Sequence, residues 1–114
     1  MYNHYMIKIE VTKGEEVIEK IARILKKNKI KQGSISLIGA VDACSIGNMP
    51  KDDATKEIFT EYYEPLEVSG TGEIIDGKPH IHVTLGRSDN SALFGHLQWG
   101  KVETWFVNVY ITEL

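Results

Sequence analysis

The chain has 114 residues, 42% of them apolar, with 13 lysines and arginines against 16 aspartates and glutamates, a net charge of −3. Such a length and composition fit one domain with one core, so residues 1–114 are read as a single folded domain rather than a disordered segment. The acidic balance excludes a chain-wide attraction to phosphate backbones or anionic membranes, though not a local basic patch. No apolar run approaches the ~20 residues that a membrane-spanning helix requires. Residues 1–5 lack the charged-then-apolar layout of a secretion signal, so the expected location is the cytoplasm. The single cysteine, Cys44, lies in the apolar stretch Ala40–Cys44. It can form no intrachain disulfide and reads as a small buried hydrophobe.

Tyr5–Val11 alternates in the manner of a strand. Thr12 and Glu15 have capping-box spacing, which predicts a helix start there. Val17, Ile21, Ile24, Leu25 and Ile30 then recur near helical spacing, with Ile18 at the stripe's edge and Glu19, Lys20, Arg23, Lys26 and Lys27 opposite. This predicts an amphipathic helix of about four turns. The lysines of the 26–31 run suit a helix C-terminus, whose dipole they complement, and no arginine or aromatic residue is interleaved to read bases.

Gly33 is expected to end the connection out of the helix. Ser34–Val41 is β-like, and that character reaches toward Gly47. Asn48–Asp53 is turn-rich and reads as a loop. Ile58–Tyr63 reads as a strand interrupted by Pro65, and Leu66–Ile75 as another, whose Gly70 and Gly72 signal a bulge or a close backbone approach. Asp76-Gly77 between two β-like runs is a hairpin signal, with His80–Gly86 as the second arm. Arg87–Ser91 is a polar turn, Ala92–Trp99 is short and ambiguous, and Val102–Ile111 reads as a long final strand rich in β-branched and aromatic residues. The expected fold is α+β: one principal amphipathic helix packed on a mainly antiparallel sheet of six or seven strands.

Residues two apart on a strand face the same way, so His80 and His82 project together, their Cα atoms roughly 6.5–7 Å apart. Two imidazoles so placed can converge on one ion. His96, in Phe94-Gly95-His96-Leu97, is the histidine nearest in sequence that could supply a third ligand. Three neutral imidazoles with an open fourth position suit zinc, and also nickel, cobalt, iron or copper. The alternative on spacing alone is a pair of half-exposed strand histidines with His96 packed separately. His4 reads as a surface residue.

The run from Gly70 to Leu85, containing Gly77-Lys78-Pro79-His80-Ile81-His82, together with Gly95-His96-Leu97 and Gly100-Lys101-Val102, is similar to the plants-and-prokaryotes-conserved (PPC) domain family. Gly14–Val17, Ile38–Val41 and Leu66–Gly70 fit the same layout, so the resemblance covers nearly the whole chain. It implies an α+β domain that assembles as a homotrimer, and a metal held by histidines corresponding to His80, His82 and His96. Plant members carry a DNA-binding AT-hook ahead of the domain and engage transcription factors. No Arg-Gly-Arg-Pro hook occurs in this sequence, so direct DNA binding is not expected. The chain also departs from the family in having Phe94 where Gly-Gly-His is common, and Asn108 in the final-strand slot where many members are acidic.

Three functions follow as alternatives. One is a homotrimeric metal-binding module of regulatory type, with zinc as the favoured ion and a small-molecule ligand. The second is a metal-dependent hydrolase or lyase, for which Glu67, Glu73 or Arg87 would be general-base or anion-binding candidates, against the plainer reading of each as a solvated or salt-bridged charge. The third is a DNA-associated or transcription-factor-interacting protein.

Overall fold

Alternation of apolar and polar residues builds eight strands and one helix among residues 6–114, the part of the chain that the computed structural model describes. They run β1 (Met6–Val11), α1 (Val17–Lys27), β2 (Gln32–Val41), β3 (Ala43–Asn48), β4 (Ile58–Tyr62), β5 (Leu66–Ile75), β6 (Lys78–Gly86), β7 (Ala92–Lys101) and β8 (Val107–Glu113). All join one antiparallel sheet in the order β1-β8-β2-β5-β6-β7-β3-β4. The α+β expectation holds, with eight strands rather than six or seven. Tyr5, expected to open the first strand, and His4 lie outside the described residues.

The sheet is strongly curled, and one residue shows why. Only Asp42 separates Val41 from Ala43, so the ends of β2 and β3 lie within about 7 Å of each other along the chain. Yet β5, β6 and β7 stand between β2 and β3 in the hydrogen-bond order, a distance of about 19 Å were the sheet flat. The expected β-like run toward Gly47 is therefore two strands that belong to distant parts of the ladder.

Helix α1 packs on the inner face through Val17, Ile21 and Leu25, all buried. They join Ile81, Val83 and Leu85 of β6, Leu97 of β7, and Val107, Val109 and Ile111 of β8 in the core. Each such fully buried aliphatic side chain stabilises the fold by about 1.5–3 kcal/mol. Cys44 is buried as expected, and burial, reinforced by the charge of Glu64, pushes its thiol up to about 11. Among the described residues no helix is long and apolar enough to cross a membrane.

The ends of α1 differ from the sequence expectation. Glu15 does reach back to the Thr12 N–H at 2.8 Å, but this closes a turn ahead of the helix. The N-cap is Glu16, whose carboxylate accepts from the N–H groups of Ile18 and Glu19 and, across the fold, Gly100, each at 2.8 Å. At the far end the helix stops at Lys27, a turn earlier than the apolar stripe implies. Lys29 adopts φ 54°, and the N–H groups of Lys29 and Ile30 return to the carbonyls of Lys26 and Leu25. That is a Schellman closure, with Ile30 buried beside Leu25 as its apolar contact. Gly33 instead sits inside β2, where a Cβ would lie 2.5 Å from the Thr112 carbonyl oxygen.

The final strand begins at Val107, not Val102. Residues 102–106 form a loop held by Asp42, whose carboxylate accepts from the N–H groups of Glu103 (2.6 Å) and Thr104 (2.9 Å) and from the Thr104 hydroxyl (2.7 Å). β-Branched composition there described packing around Val102, which is fully buried, rather than a ladder. The ambiguous segment near residue 92 is a full ten-residue strand, β7.

Two outcomes test the account of the helix start. Glu16→Ala removes an acceptor from three backbone donors and should lower unfolding free energy by about 2 kcal/mol in urea titration, with Glu16→Gln recovering part of it. Glu15 is held down to about 2, below its ordinary value of 4.5, mainly by its hydrogen bond from Lys20 and then by the Thr12 N–H. Its depressed value means that the stabilisation is fully present above pH 4.5 and is lost as pH falls toward 2. The stability gap between the wild type and Glu15→Gln should therefore close across that window.

Candidate metal centre

The inner-face residues Ile81, Val83 and Leu85 fix which way β6 faces, and the residues between them, His80, His82 and Thr84, are turned to the opposite, open face. The hairpin that starts β6 turns through Asp76 (φ 51°) and Gly77 (φ 79°). Positive φ at both central positions is the two-residue type I′ turn expected from Asp-Gly, and it sets the register Ile75↔Lys78 and hence Glu73↔His80 and Thr71↔His82. Gly70 and Gly72 resolve as sites of close approach rather than bulges: a Cβ at Gly70 would lie 2.7 Å from the His82 carbonyl oxygen, and one at Gly72 would collide with that of His80.

Strand β7 brings the third histidine. His96 lies directly across from His82 and across from Gly47 of β3 on its other side. Gly95 makes that approach possible, since a Cβ there would stand 2.9 Å from both the Gly47 carbonyl oxygen and Asn48 Nδ2. The Asn48 amide then ties the strands by donating to the Phe94 carbonyl at 2.8 Å. Beyond the Ile46↔Leu97 pair the β3–β7 register shifts, and Gln98 at the irregularity accepts a 2.7 Å hydrogen bond from the buried Ser45 hydroxyl. Bulges near sites re-aim side chains in this manner.

The outcome is a cluster in which one ligand atom each of His80, His82 and His96 lies within 4.8 Å of the others. The ring centroids of His80 are 5.1 Å from those of both His82 and His96, and those of His82 and His96 are 6.1 Å apart. A tetrahedral ion with bonds of 2.0–2.1 Å needs nitrogens about 3.3 Å apart, a gap that side-chain rotation closes. Burial, the leading cause, together with the neighbouring His80 and His82, lowers the pKa of His96, against an upward pull from Glu57. The imidazole is thereby kept in the neutral, ligating form. The donor set fits a borderline-soft divalent ion.

Each imidazole has a distinct neighbour. Glu73 Oε2 lies 3.6 Å from His80 Nδ1, close enough for its charge to act on the ring but beyond hydrogen-bonding distance. Phe94 stands edge-on to His82 at 5.7 Å, and Phe59 edge-on to His96 at 6.4 Å. A hollow of ≈ 300 Å³ lined by Thr71, Gly72, Glu73, His80 and His82 opens beside them. Phe94, where the chain departs from the family pattern, lies within β7, its ring against that of His82.

The other sequence candidates separate. Glu73 joins the cluster. Glu67 pairs with Gly86, four residues along β6 from His82 and so about 13 Å away. Arg87 is engaged by Glu64 through a two-point ion pair at 3.0 and 3.2 Å and lies over the Tyr62 ring. Asn108 pairs with Ile38 and Glu10, with β2 and β5 between its strand and β6. Glu57 and Phe59 were not singled out by sequence reasoning. They precede and open β4, some forty residues from His96, and no local spacing marks them.

A model of the Plants and Prokaryotes Conserved (PCC) domain matches residues 4–114. The chain belongs to this family. Solved structures agree with that placement. A PPC protein of Pyrococcus horikoshii superposes with a TM-score of 0.86 at 27% identity, covering 100% of this chain and 82% of that one. A metal-containing protein of Archaeoglobus fulgidus gives 0.84 at 30% identity, over 96% and 79%. A Bacteroides thetaiotaomicron protein named as a candidate DNA-binding protein gives 0.78 at 25% identity, over 99% and 79%. No curated protein matches the chain.

The lowered pKa of His96 has a direct consequence. In metal-free protein, the imidazole resonances of His96 should titrate with a midpoint below the ordinary 6.5. Phe59→Ala, which admits water, should move that midpoint upward in an NMR titration.

Proposed function

We propose that this PPC-domain protein is a metal-binding module that holds one divalent transition-metal ion through His80, His82 and His96, zinc being the favoured ion, and presents its open coordination position to a small ligand. The observation that carries the reading is the convergence of three imidazole donors from two adjacent strands within 4.8 Å. The metal-containing character of the Archaeoglobus fulgidus relative supports it. When bound, such an ion supplies Lewis acidity at its open position. The chain's own contribution is to set Glu73 beside His80, to favour the neutral form of His96 by burial, and to place the rings of Phe59 and Phe94 against His96 and His82.

The same reading includes a homotrimer. The open face of β2 and β8 carries Ile38 and Tyr110, 59% and 39% exposed. Beside them Asn108 keeps a buried Oδ1 with no partner among the described residues. An interface between copies accounts for apolar residues on an uncovered sheet face. A metal-dependent hydrolase or lyase is the second reading, favoured by one feature: the Glu73 carboxylate lines the hollow next to His80. Direct DNA contact is disfavoured by the net charge of −3.

Elemental analysis of untagged protein should find one ion per chain, and light scattering should give three times the 12.9 kDa chain mass. Loss of the ion to chelator should lower the melting temperature, because the metal binds only the folded state. His82→Ala should retain the fold and lose the ion. Metal-free protein with a melting temperature indifferent to chelator defeats the proposal. Turnover in a hydrolase and lyase screen that vanishes in both His82→Ala and Glu73→Gln decides for the second reading.

A further inference from the structure

A second hollow lies remote from the histidines. It is a cleft of ≈ 830 Å³ at the start of β5 and the end of β6 where they meet the 102–106 loop, lined among others by Leu66, Glu67, Gly86, Arg87, Trp105 and Phe106. Its volume is in the range of small-molecule sites.

Three features distinguish it from an ordinary surface dip. The first is the aromatic wall. Trp105 is 68% exposed and Phe106 41%, yet the loop that carries them is fastened at both ends. Asp42 accepts from Glu103 and Thr104 just before Trp105. The Ala40 N–H donates to the Phe106 carbonyl at 2.9 Å just after it. Gly39 (φ 156°) admits this crossing, because a Cβ there would collide with the Phe106 carbonyl oxygen. The fold thus holds two large aromatic residues in water, where solvation alone would disfavour them.

The second feature is Gly86. Its φ is not in the left-handed region, and a Cβ there would meet only the Glu67 Cβ, at 3.9 Å. Neither backbone conformation nor strand packing calls for glycine, and glycine inside a strand weakens it. What its missing side chain does is keep the floor of the cleft open beside Glu67.

The third is charge. Arg87, the cation of the cleft, is held by Glu64 in the two-point pair. Asp89, between the cleft-lining Ser88 and Asn90, adds a further negative charge near it. Glu67 has no ion-pair or hydrogen-bond partner among the described residues. Of the two charged residues that line the cleft, Arg87 is thus neutralised by Glu64, and Glu67 is left without a partner beside the aromatic wall.

We propose that this cleft is a binding site for a small organic cation of the substituted-ammonium class, its charged head against the ring faces of Trp105 and Phe106 and opposite the Glu67 carboxylate. Aromatic faces attract such cations through their quadrupole, and Glu67 supplies the compensating charge. An anion would meet the Glu67 carboxylate while Arg87 is already engaged by Glu64, and a neutral apolar molecule would leave Glu67 desolvated without compensation.

The test is titration of the full chain with choline and with its neutral isostere, in which a quaternary carbon replaces the nitrogen. Amide chemical shifts of Gly86, Arg87 and Phe106 are followed at constant ionic strength with chelator present, so that metal at the histidines plays no part. Choline should saturate these shifts, and the isostere should bind about tenfold more weakly. Trp105→Ala and Glu67→Gln should each weaken choline about fivefold or more, and Gly86→Leu should abolish binding by filling the floor, with an unchanged spectrum elsewhere reporting an intact fold. The proposal is overturned if choline produces no saturable shift, if the isostere binds equally well, or if Trp105→Ala and Glu67→Gln both leave choline binding unchanged in folded protein.

Discussion

Burial of Ile81, Val83 and Leu85 against α1 is the interaction on which the rest depends. All three are fully buried, and side chains on a strand alternate with a period of two. A slip of one residue would carry His80, His82 and Thr84 into the core and expose the aliphatic set. The hydrophobic effect thereby sets the orientation of the histidines without touching them. Because β6 is flanked by β5 and β7, the same constraint fixes Glu73 opposite His80 and His96 opposite His82. The donor cluster is a by-product of core packing, which makes it rigid and cheap to hold together.

What could be read from the sequence was what a few neighbouring residues decide. The Asp76-Gly77 turn demands positive φ at both positions, and local chemistry supplies it, so the hairpin and the limits of β5 were legible. The His80-x-His82 pair was legible for the same reason, since both its members ride one strand. His96 was within reach because it is the histidine nearest in sequence that could complete the set, although the strand pairing that brings it opposite His82 was not legible. Element ends set by distant partners were not legible. Glu16 became the N-cap in place of the Thr12 turn because Gly100, far along the chain, presents a third donor to its carboxylate. The 102–106 segment left the ladder because Asp42 offers its backbone better acceptors than a neighbouring strand. Glu57 and Phe59 reach the histidines only through β3 and β4, and Gly47 clears their path: a Cβ there would come within 2.7 Å of Glu57 Cγ and the Phe59 ring.

The surroundings of the cluster bear on what an ion there could accept. Glu73 and Glu57 bring negative charge to His80 and His96, while the rings of Phe59 and Phe94 stand edge-on to His96 and His82. Two carboxylates near a divalent ion bring the local charge close to neutral. That arrangement disfavours a free anion at the open position and favours a neutral, proton-donating ligand, whose proton a nearby carboxylate can share. It also distinguishes the site from an anion trap, in which arginine would be expected. Arg87, the residue suited to that task, is spent on Glu64 elsewhere.

The β5–β6 ladder carries both the histidine cluster and the aromatic cleft. Its open-face rungs are Glu73↔His80, Thr71↔His82, Ser69↔Thr84 and Glu67↔Gly86, in order along one face. Between His82 and Gly86 the row is small and polar, at Ser69↔Thr84, and the chemistry lies to either side of it. Small residues would be a poor choice if the row existed to bury apolar surface, since they contribute little area. They are a sound choice if something is to lie along the row. Both ends are set by one turn, because the type I′ geometry at Asp76-Gly77 fixes every rung beyond it. A residue inserted in that turn would therefore displace Glu73 from His80 and Glu67 from Gly86 together, so the two ends of the face are coupled through register even though about 20 Å of strand separates them.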